Sequence, residues 1–431
     1  MIGIIDYYLI PFALFLGATA PQIGLLVAIP NLVASVFQLF AVRAVHAAGN
    51  RLRLLVMGLG IQSAFLIPVG FLAYHHAPYA LPLLILLTTV YKTIGGLITP
   101  AWGSLVSEYL PPHRRGHYFG WRSRLVGVAG VGSVCFWGLF LYLLKKYATQ
   151  NTGFLILFLA AAAARLIGLF FMSRMTDLPL QRSHETEFTF WMFLRRFRES
   201  NFVRFVFYTA SITFTTFIAS PFFSVHMLRD LKFNYVSYMA VSMASVIGSL
   251  VSFPIWGRHA DSVGNAKILK ITSLLVPLIP ILWLIPRHAV PLVIIELFSG
   301  VVWGGFNLCA TNFIFDAVSP AKRVRCLGYF NLINGGAIFA GSLVGGFLAK
   351  RIPPFLGMPL LWLFVLSAAG RFLAHFLLSR GFTEVREGTK HVSHTQLFFS
   401  VVGIRPLFSS TPELNVIPPK SEIDFAPRDA K

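Results

Sequence analysis

Charge is scarce in this sequence. Asp, Glu, Lys and Arg make up 12% of its 431 residues, about half the share of a soluble domain. Acid is scarcer than base, with 16 Asp and Glu against 36 Lys and Arg and a formal net charge of +20. So little charge cannot cover a folded surface in water. That excludes a soluble enzyme, a soluble nucleic-acid binder and a disordered protein. Cysteine is equally sparse. Cys135, Cys309 and Cys326 lie in or beside apolar runs, so no disulfide framework is expected. A G-x-x-x-x-G-K-[ST] phosphate loop is missing, which argues against ATP driving. So are H-E-x-x-H, C-x-x-C and the strained serine elbow of a hydrolase. No cofactor or metal is implied.

What is abundant is apolar surface: 56% of residues are hydrophobic, and Phe alone supplies 42. A spanning helix needs about 20 mostly apolar residues. Twelve such runs can be read, at 1–17, 21–43, 52–74, 80–106, 119–144, 153–173, 202–224, 235–256, 267–286, 288–315, 326–349 and 356–379. Stretches such as Phe154–Ala164 are apolar on every face, whereas strands of a membrane barrel alternate. Helices are therefore expected. The first run is the weakest: 17 residues reach only about 25 Å. Met1–Asp6 carries no basic residue, so it is not a signal peptide. It is either a short first helix or one whose start lies a few residues too late.

Loops on the inner side carry the excess of Lys and Arg. With the N-terminus inside, 19 of the 36 basic residues fall in inner loops, 7 in outer loops and 7 in the C-terminal tail. Three lie within spans: Lys92, Arg165 and Arg371. The high net charge is thus topological, not a nucleic-acid footprint. The expectation is a multi-pass protein of the inner (plasma) membrane with both termini cytoplasmic.

The longest charged internal segment, 174–201, separates two sets of six spans. The expected organisation is a six-helix bundle over 1–173, a cytoplasmic loop over 174–201, a second bundle over 202–379 and a cytoplasmic tail over 380–431. Within the loop, Thr189–Arg204 mixes aromatic residues with Arg and suits either a surface helix or a solvated linker. The halves repeat one another. Glu108-x-x-x-Pro112-x-Arg114-Arg115 recurs as Asp316-x-x-x-Pro320-x-Lys322-Arg323, 208 residues later. Gly49-Asn50 recurs as Gly264-Asn265, 215 residues later.

With these features the chain resembles the major facilitator superfamily (MFS) up to about residue 382. The family's loop pattern is G-x-L-A-D-R-x-G-R-R/K. After span 8 this sequence reads Gly257-Arg258-His259-Ala260-Asp261-Ser262-Val263-Gly264-Asn265. Both glycines, the Ala and the Asp are kept. After span 2 only Gly49 and a nearby basic residue remain, with His46 in the Asp position. The resemblance implies an all-α polytopic fold, twelve transmembrane helices in two pseudo-symmetric six-helix bundles that rock about a central site.

Glycine suits the tight turn of such a loop. Asp261 can set its charge at a neighbouring helix N-terminus. The resemblance implies that of span 5, near His117–Trp121, with Arg114, Arg115 or Arg122 available as an ion pair. His46 is either a pH-sensitive counterpart or a surface residue. Glu108 and Asp316 sit at helix C-termini, where acids oppose the dipole. Arg115 and Arg323 are their expected partners, in structural or gating pairs.

Ionisable residues at membrane depth are costly and are candidates for function. Lys92 lies in span 4, Glu296 in span 10 and Asp6 in span 1. In the family these spans line the cavity. Lys92 with Asp6 or Glu296 either binds an anionic solute and a coupling proton or holds helices together as a fixed pair. Arg165 and Arg371 are weaker candidates, better suited to snorkelling or helix contacts. Tyr91, Trp102, Tyr208, Thr213, Thr216, Trp303, Asn307 and Asn312 are polar or aromatic candidates for the lining, and Asn331 and Asn334 raise the same question. The expected function is secondary active transport of a small-molecule substrate, driven by a proton or ion, by a monomer in the lipid bilayer with no nucleic-acid partner. The alternative on the same fold is a non-transporting sensor or assembly partner. An enzyme is not expected.

Overall fold

The computed structural model describes residues 2–74, 78–109, 112–146, 150–177, 190–195, 199–318 and 320–385. The C-terminal tail from 386 and part of the central loop lie outside them. The helices are α1 Ile2–Phe15, α2 Ala20–Gln38, α3 Ala41–Ala48, α4 Arg51–Phe71, α5 Ala80–Tyr109, α6 Pro112–Lys146, α7 Gln150–Ser173, α8 Phe190–Arg195, α9 Asn201–Val225, α10 Tyr235–Val263, α11 Asn265–Leu275, α12 Leu278–Leu282, α13 Ala289–Ala317, α14 Pro320–Arg351 and α15 Leu361–Leu378. Among the described residues, extended pairing is limited to an isolated bridge between Phe355 and Met358.

Eleven membrane-crossing segments are long and apolar enough among the described residues. They match eleven of the twelve expected runs. The exception is α1, whose 14 residues rise only about 21 Å. It is nonetheless built into the bundle. Tyr8 and Phe12 are fully buried, and Phe12 packs on Phe154 and Phe158 with ring centroids 5.0 and 4.9 Å apart.

Local chemistry explains several boundaries. The second run splits into α2 and α3, and the chain then turns at Gly49 with φ +89°. Asn50 caps α4 by accepting from the Arg53 N–H at 2.7 Å. The equivalent turn is made by Gly264 at φ +90°. Gly257, expected in the same turn, lies inside helix α10 instead, because the helix runs on to Val263. The ninth run breaks between α11 and α12, where Pro277 and Pro280 remove two backbone donors. Of the central loop, α8 is helical, and its Phe193 packs on Phe202 of α9 and Tyr329 of α14.

Among the described residues, two helix pairs make the most extensive contacts between the sets of six. α2 runs antiparallel to α14. Gly24 lies so close that a Cβ there would stand 2.6 Å from the Ser342 carbonyl, and Gly328 faces Leu39 at the other end. α6 runs antiparallel to α10, with Gly138 against Met239 and Gly127 against Leu250. Small residues allow these close approaches, which dispersion then stabilises. Within the second set α10 and α13 run in parallel, with Gly248 and Gly300 against the partner backbone.

Candidate functional site

Between the two sets of helices lies a cavity of two connected lobes. One is about 460 Å³ and is lined by Asn31, Lys92, Tyr238, Trp283 and Glu296 among others. The other is about 550 Å³ and carries Thr213, Thr216, Trp303, Asn307 and Asn334. Tyr7, Phe217, Ser220, Ser245 and Ile338 belong to both. At one end two hydrogen bonds cross between the halves. The Tyr238 hydroxyl donates to the Tyr7 carbonyl at 2.7 Å, and the Gln150 amide donates to the Tyr235 hydroxyl at 2.7 Å. The second lobe extends towards the opposite end, along α13 to Asn307 and Ala310. That end carries the Gly49 and Gly264 turns and is called the motif end below.

Lys92 and Glu296 stand on the same lobe although they come from α5 and α13. The Lys92 ammonium donates to Asn31 Oδ1 at 3.2 Å. Glu296 Oε1 accepts the Trp283 indole N–H at 2.9 Å. Ser245 lines the same lobe. Trp303 and Asn307 line the other lobe. Tyr91 does not line either lobe: one residue along a helix turns a side chain by about 100°, and its hydroxyl faces Arg165 Nη2 at 3.2 Å inside the first set. Asp6 belongs to α1, but its side chain lies outside those described. Trp102, another aromatic candidate, takes the Arg122 guanidinium over its ring at 4.1 Å.

At the motif end Glu108 has a partner that the sequence did not suggest. It binds Arg51 through two parallel bonds of 2.6 and 2.7 Å. Arg51 also donates to the Ser104 hydroxyl at 2.8 Å and lies 3.5 Å from Asp177. The Arg51 side chain is 1% exposed. In the second set Asn265 does this work, donating to Asp316 at 2.8 Å. The side chains of Arg115 and Arg323 lie outside those described.

A second acid completes each arrangement. Asp177 accepts the Leu52 N–H at 3.4 Å, and Glu384 accepts the Ala266 N–H at 2.8 Å. Each acid follows the sixth span of its own set and meets the start of the third. There the unpaired N–H groups and the helix dipole favour an anion. Their separation of 207 residues is within one of the 208-residue offset between Glu108 and Asp316, a signal present in the sequence. Gly264 is constrained twice, by its φ and by the Glu384 carboxylate, which a Cβ would strike. Asp261 is exposed in the last turn of α10 and His46 on α3. Much of the α6 start to which the resemblance joins Asp261 lies outside the described side chains.

Solved structures similar in fold include the nucleoside transporter NupG, with 15% identity over 88% of this chain and 95% of that one and a TM-score of 0.66. A D-xylose–proton symporter has 13% identity over 90% and 93%, with a TM-score of 0.68. A bacterial homologue of the iron transporter ferroportin, in an inward-facing state, has 12% identity over 88% and 94%, with a TM-score of 0.66. No curated protein sequence matches the chain significantly. The family profile of the Major Facilitator Superfamily matches residues 1–342 and, a second time, 205–414. With its membrane-crossing helices arranged around a central cavity, this chain belongs to the Major Facilitator Superfamily of integral membrane transporters.

Proposed function

We propose that the protein is a secondary active transporter of a small hydroxyl-bearing organic solute, coupled to a proton and working by alternating access between residues 1–173 and 202–379. The observation that carries this reading is the cavity wall that joins Lys92 from one half to Glu296 from the other. A solute bridging the two would couple its binding to the relation of the halves, as rocking requires. Ser220, Ser224, Ser242, Ser245, Thr213, Thr216, Asn307 and Asn334 offer hydrogen bonds, while Trp303 and Tyr7 offer ring faces. That chemistry suits hydroxyls carried on a small ring. The printed names of two fold neighbours, a nucleoside transporter and a D-xylose–proton symporter, agree with this class.

Glu296 is the coupling residue in this reading, since a carboxylate at membrane depth can exchange its proton with the state of the site. The pairs at the motif end bias the two states, with the cytoplasm on that side by the distribution of Lys and Arg.

The test is uptake into proteoliposomes of labelled pentoses, hexoses and nucleosides, with and without an inward proton gradient. One solute should accumulate and should stop accumulating when the gradient is dissipated. Lys92→Ala should abolish that uptake at unchanged membrane level. Glu296→Gln should retain solute exchange but lose gradient-driven accumulation. Normal accumulation by both variants would overturn the proposal.

A further inference from the structure

The ninth span is broken where it passes Glu296, and the break is clamped from behind the cavity. Residue 280 is proline, so the backbone N–H that would close a helical bond to the Val276 carbonyl is missing. The contact left within the segment is long, from the Ile279 N–H at 3.4 Å. A buried carbonyl at membrane depth needs a partner. Arg371 of α15 supplies one, donating from Nη1 at 3.1 Å. Its side chain is 2% exposed, so water does not compete for the guanidinium.

The Arg371 face of α15 packs on both the broken span and α9. Phe364, Ser367, Arg371 and His375 recur every three or four residues and share one side of the helix. His375 bonds the Ser273 hydroxyl at 2.7 Å, and Ser367 donates to the Thr215 carbonyl at 2.6 Å. Phe364 packs near Trp283, with centroids 6.3 Å apart, and stacks on Phe223 at 4.3 Å. Beyond the break, α12 is only five residues long and leads directly to Trp283. The Trp283 indole then reaches Glu296.

Resting on the reading of Glu296 as a pathway residue, we propose that Arg371 is a positioning residue for it. By capping the carbonyl freed by Pro280, Arg371 holds the bend between α11 and α12 at the angle that aims the Trp283 N–H at the carboxylate. Arg371 touches neither the cavity nor Trp283 through a hydrogen bond. It acts through the backbone of the break, and its positive charge attracts the same carboxylate. Pro280 is thus part of the site: it creates the vacancy that makes a distant arginine necessary.

Ultraviolet resonance Raman spectroscopy of the protein in liposomes tests this without any substrate. The hydrogen-bond marker of the Trp283 indole is isolated as the wild-type spectrum minus that of Trp283→Phe. The expected wild-type marker is that of a bonded N–H, lost in Glu296→Ala. Arg371→Met should lose it too, although residue 371 is remote from the indole. Pro280→Ala, which returns the missing donor and straightens the segment, should weaken it with the fold intact, and this variant serves if Arg371→Met does not fold. A bonded marker that persists in folded Arg371→Met, or in folded Pro280→Ala, overturns the proposal. So does a wild-type marker without a bond. Because the signal is spectroscopic, it can fail while Glu296-dependent uptake stands, and it can hold while uptake fails.

Discussion

Replacing Arg51 by Met should destabilise the first half far more than an ordinary surface ion pair would. Arg51 is 1% exposed, and its guanidinium sits between Glu108, 31% exposed, and Asp177, 18% exposed. An exposed pair contributes under about 1 kcal/mol. Removing one partner of a buried pair costs about 3–5 kcal/mol, because the other charge is left uncompensated. The water that reaches Glu108 reduces this to about 2–4 kcal/mol. With an unfolding entropy of about 2.1 cal/mol/K per residue over 431 residues, that corresponds to a fall in Tm of roughly 2–4 °C. The assay is thermal unfolding in detergent at one fixed scan rate, since membrane proteins often unfold irreversibly.

Two further variants make the argument specific. In a double-mutant cycle Arg51→Met and Glu108→Gln should be strongly non-additive. Adding Asp177→Asn to the pair should recover most of the lost stability, because no buried charge then remains. Salt should change the wild-type minus Arg51→Met difference little, since screening acts on exposed charges. Losses that add within about 0.5 kcal/mol, or a difference that vanishes at high salt, would refute the reasoning.

Asn265→Ala in the second half removes a single bond to a charged acceptor and should cost about 1.5–3 kcal/mol, measured by the same melting assay. Gly264→Ala combines a left-handed φ of +90° with a clash against Glu384. It should cost more than the roughly 1–3 kcal/mol of the backbone strain alone, and Gly264→Ala with Glu384→Ala should recover part of the loss. Gly24→Val drives a side chain into the Ser342 carbonyl and should sharply lower the yield of monodisperse protein on size-exclusion chromatography. Gly103→Val is the control, because a Cβ at Gly103 meets nothing within 4 Å.

The all-helical membrane fold was legible because it follows from composition and run length, which need no knowledge of contacts. Apolar runs of some 20 residues have one outcome in a bilayer, where each backbone group must be satisfied within its own segment. The Gly49 and Gly264 turns were legible too, since a left-handed φ selects glycine locally. The repeat offset marked Glu108 and Asp316 as equivalent positions. It could not say that Arg51, 57 residues away in sequence, would bind Glu108.

The cavity needed the tertiary structure. Whether Tyr91 or Lys92 faces it is a matter of helix rotation, which packing against neighbours decides and local sequence does not. In an all-round apolar helix no amphipathic stripe announces the orientation. Arg371 is the clearest case. By itself the sequence showed a charged residue in a span far from the pathway. Only the folded chain sets it against the carbonyl that Pro280 leaves open, because that partnership joins residues 95 positions apart and arises from a missing donor, which has no pattern of its own.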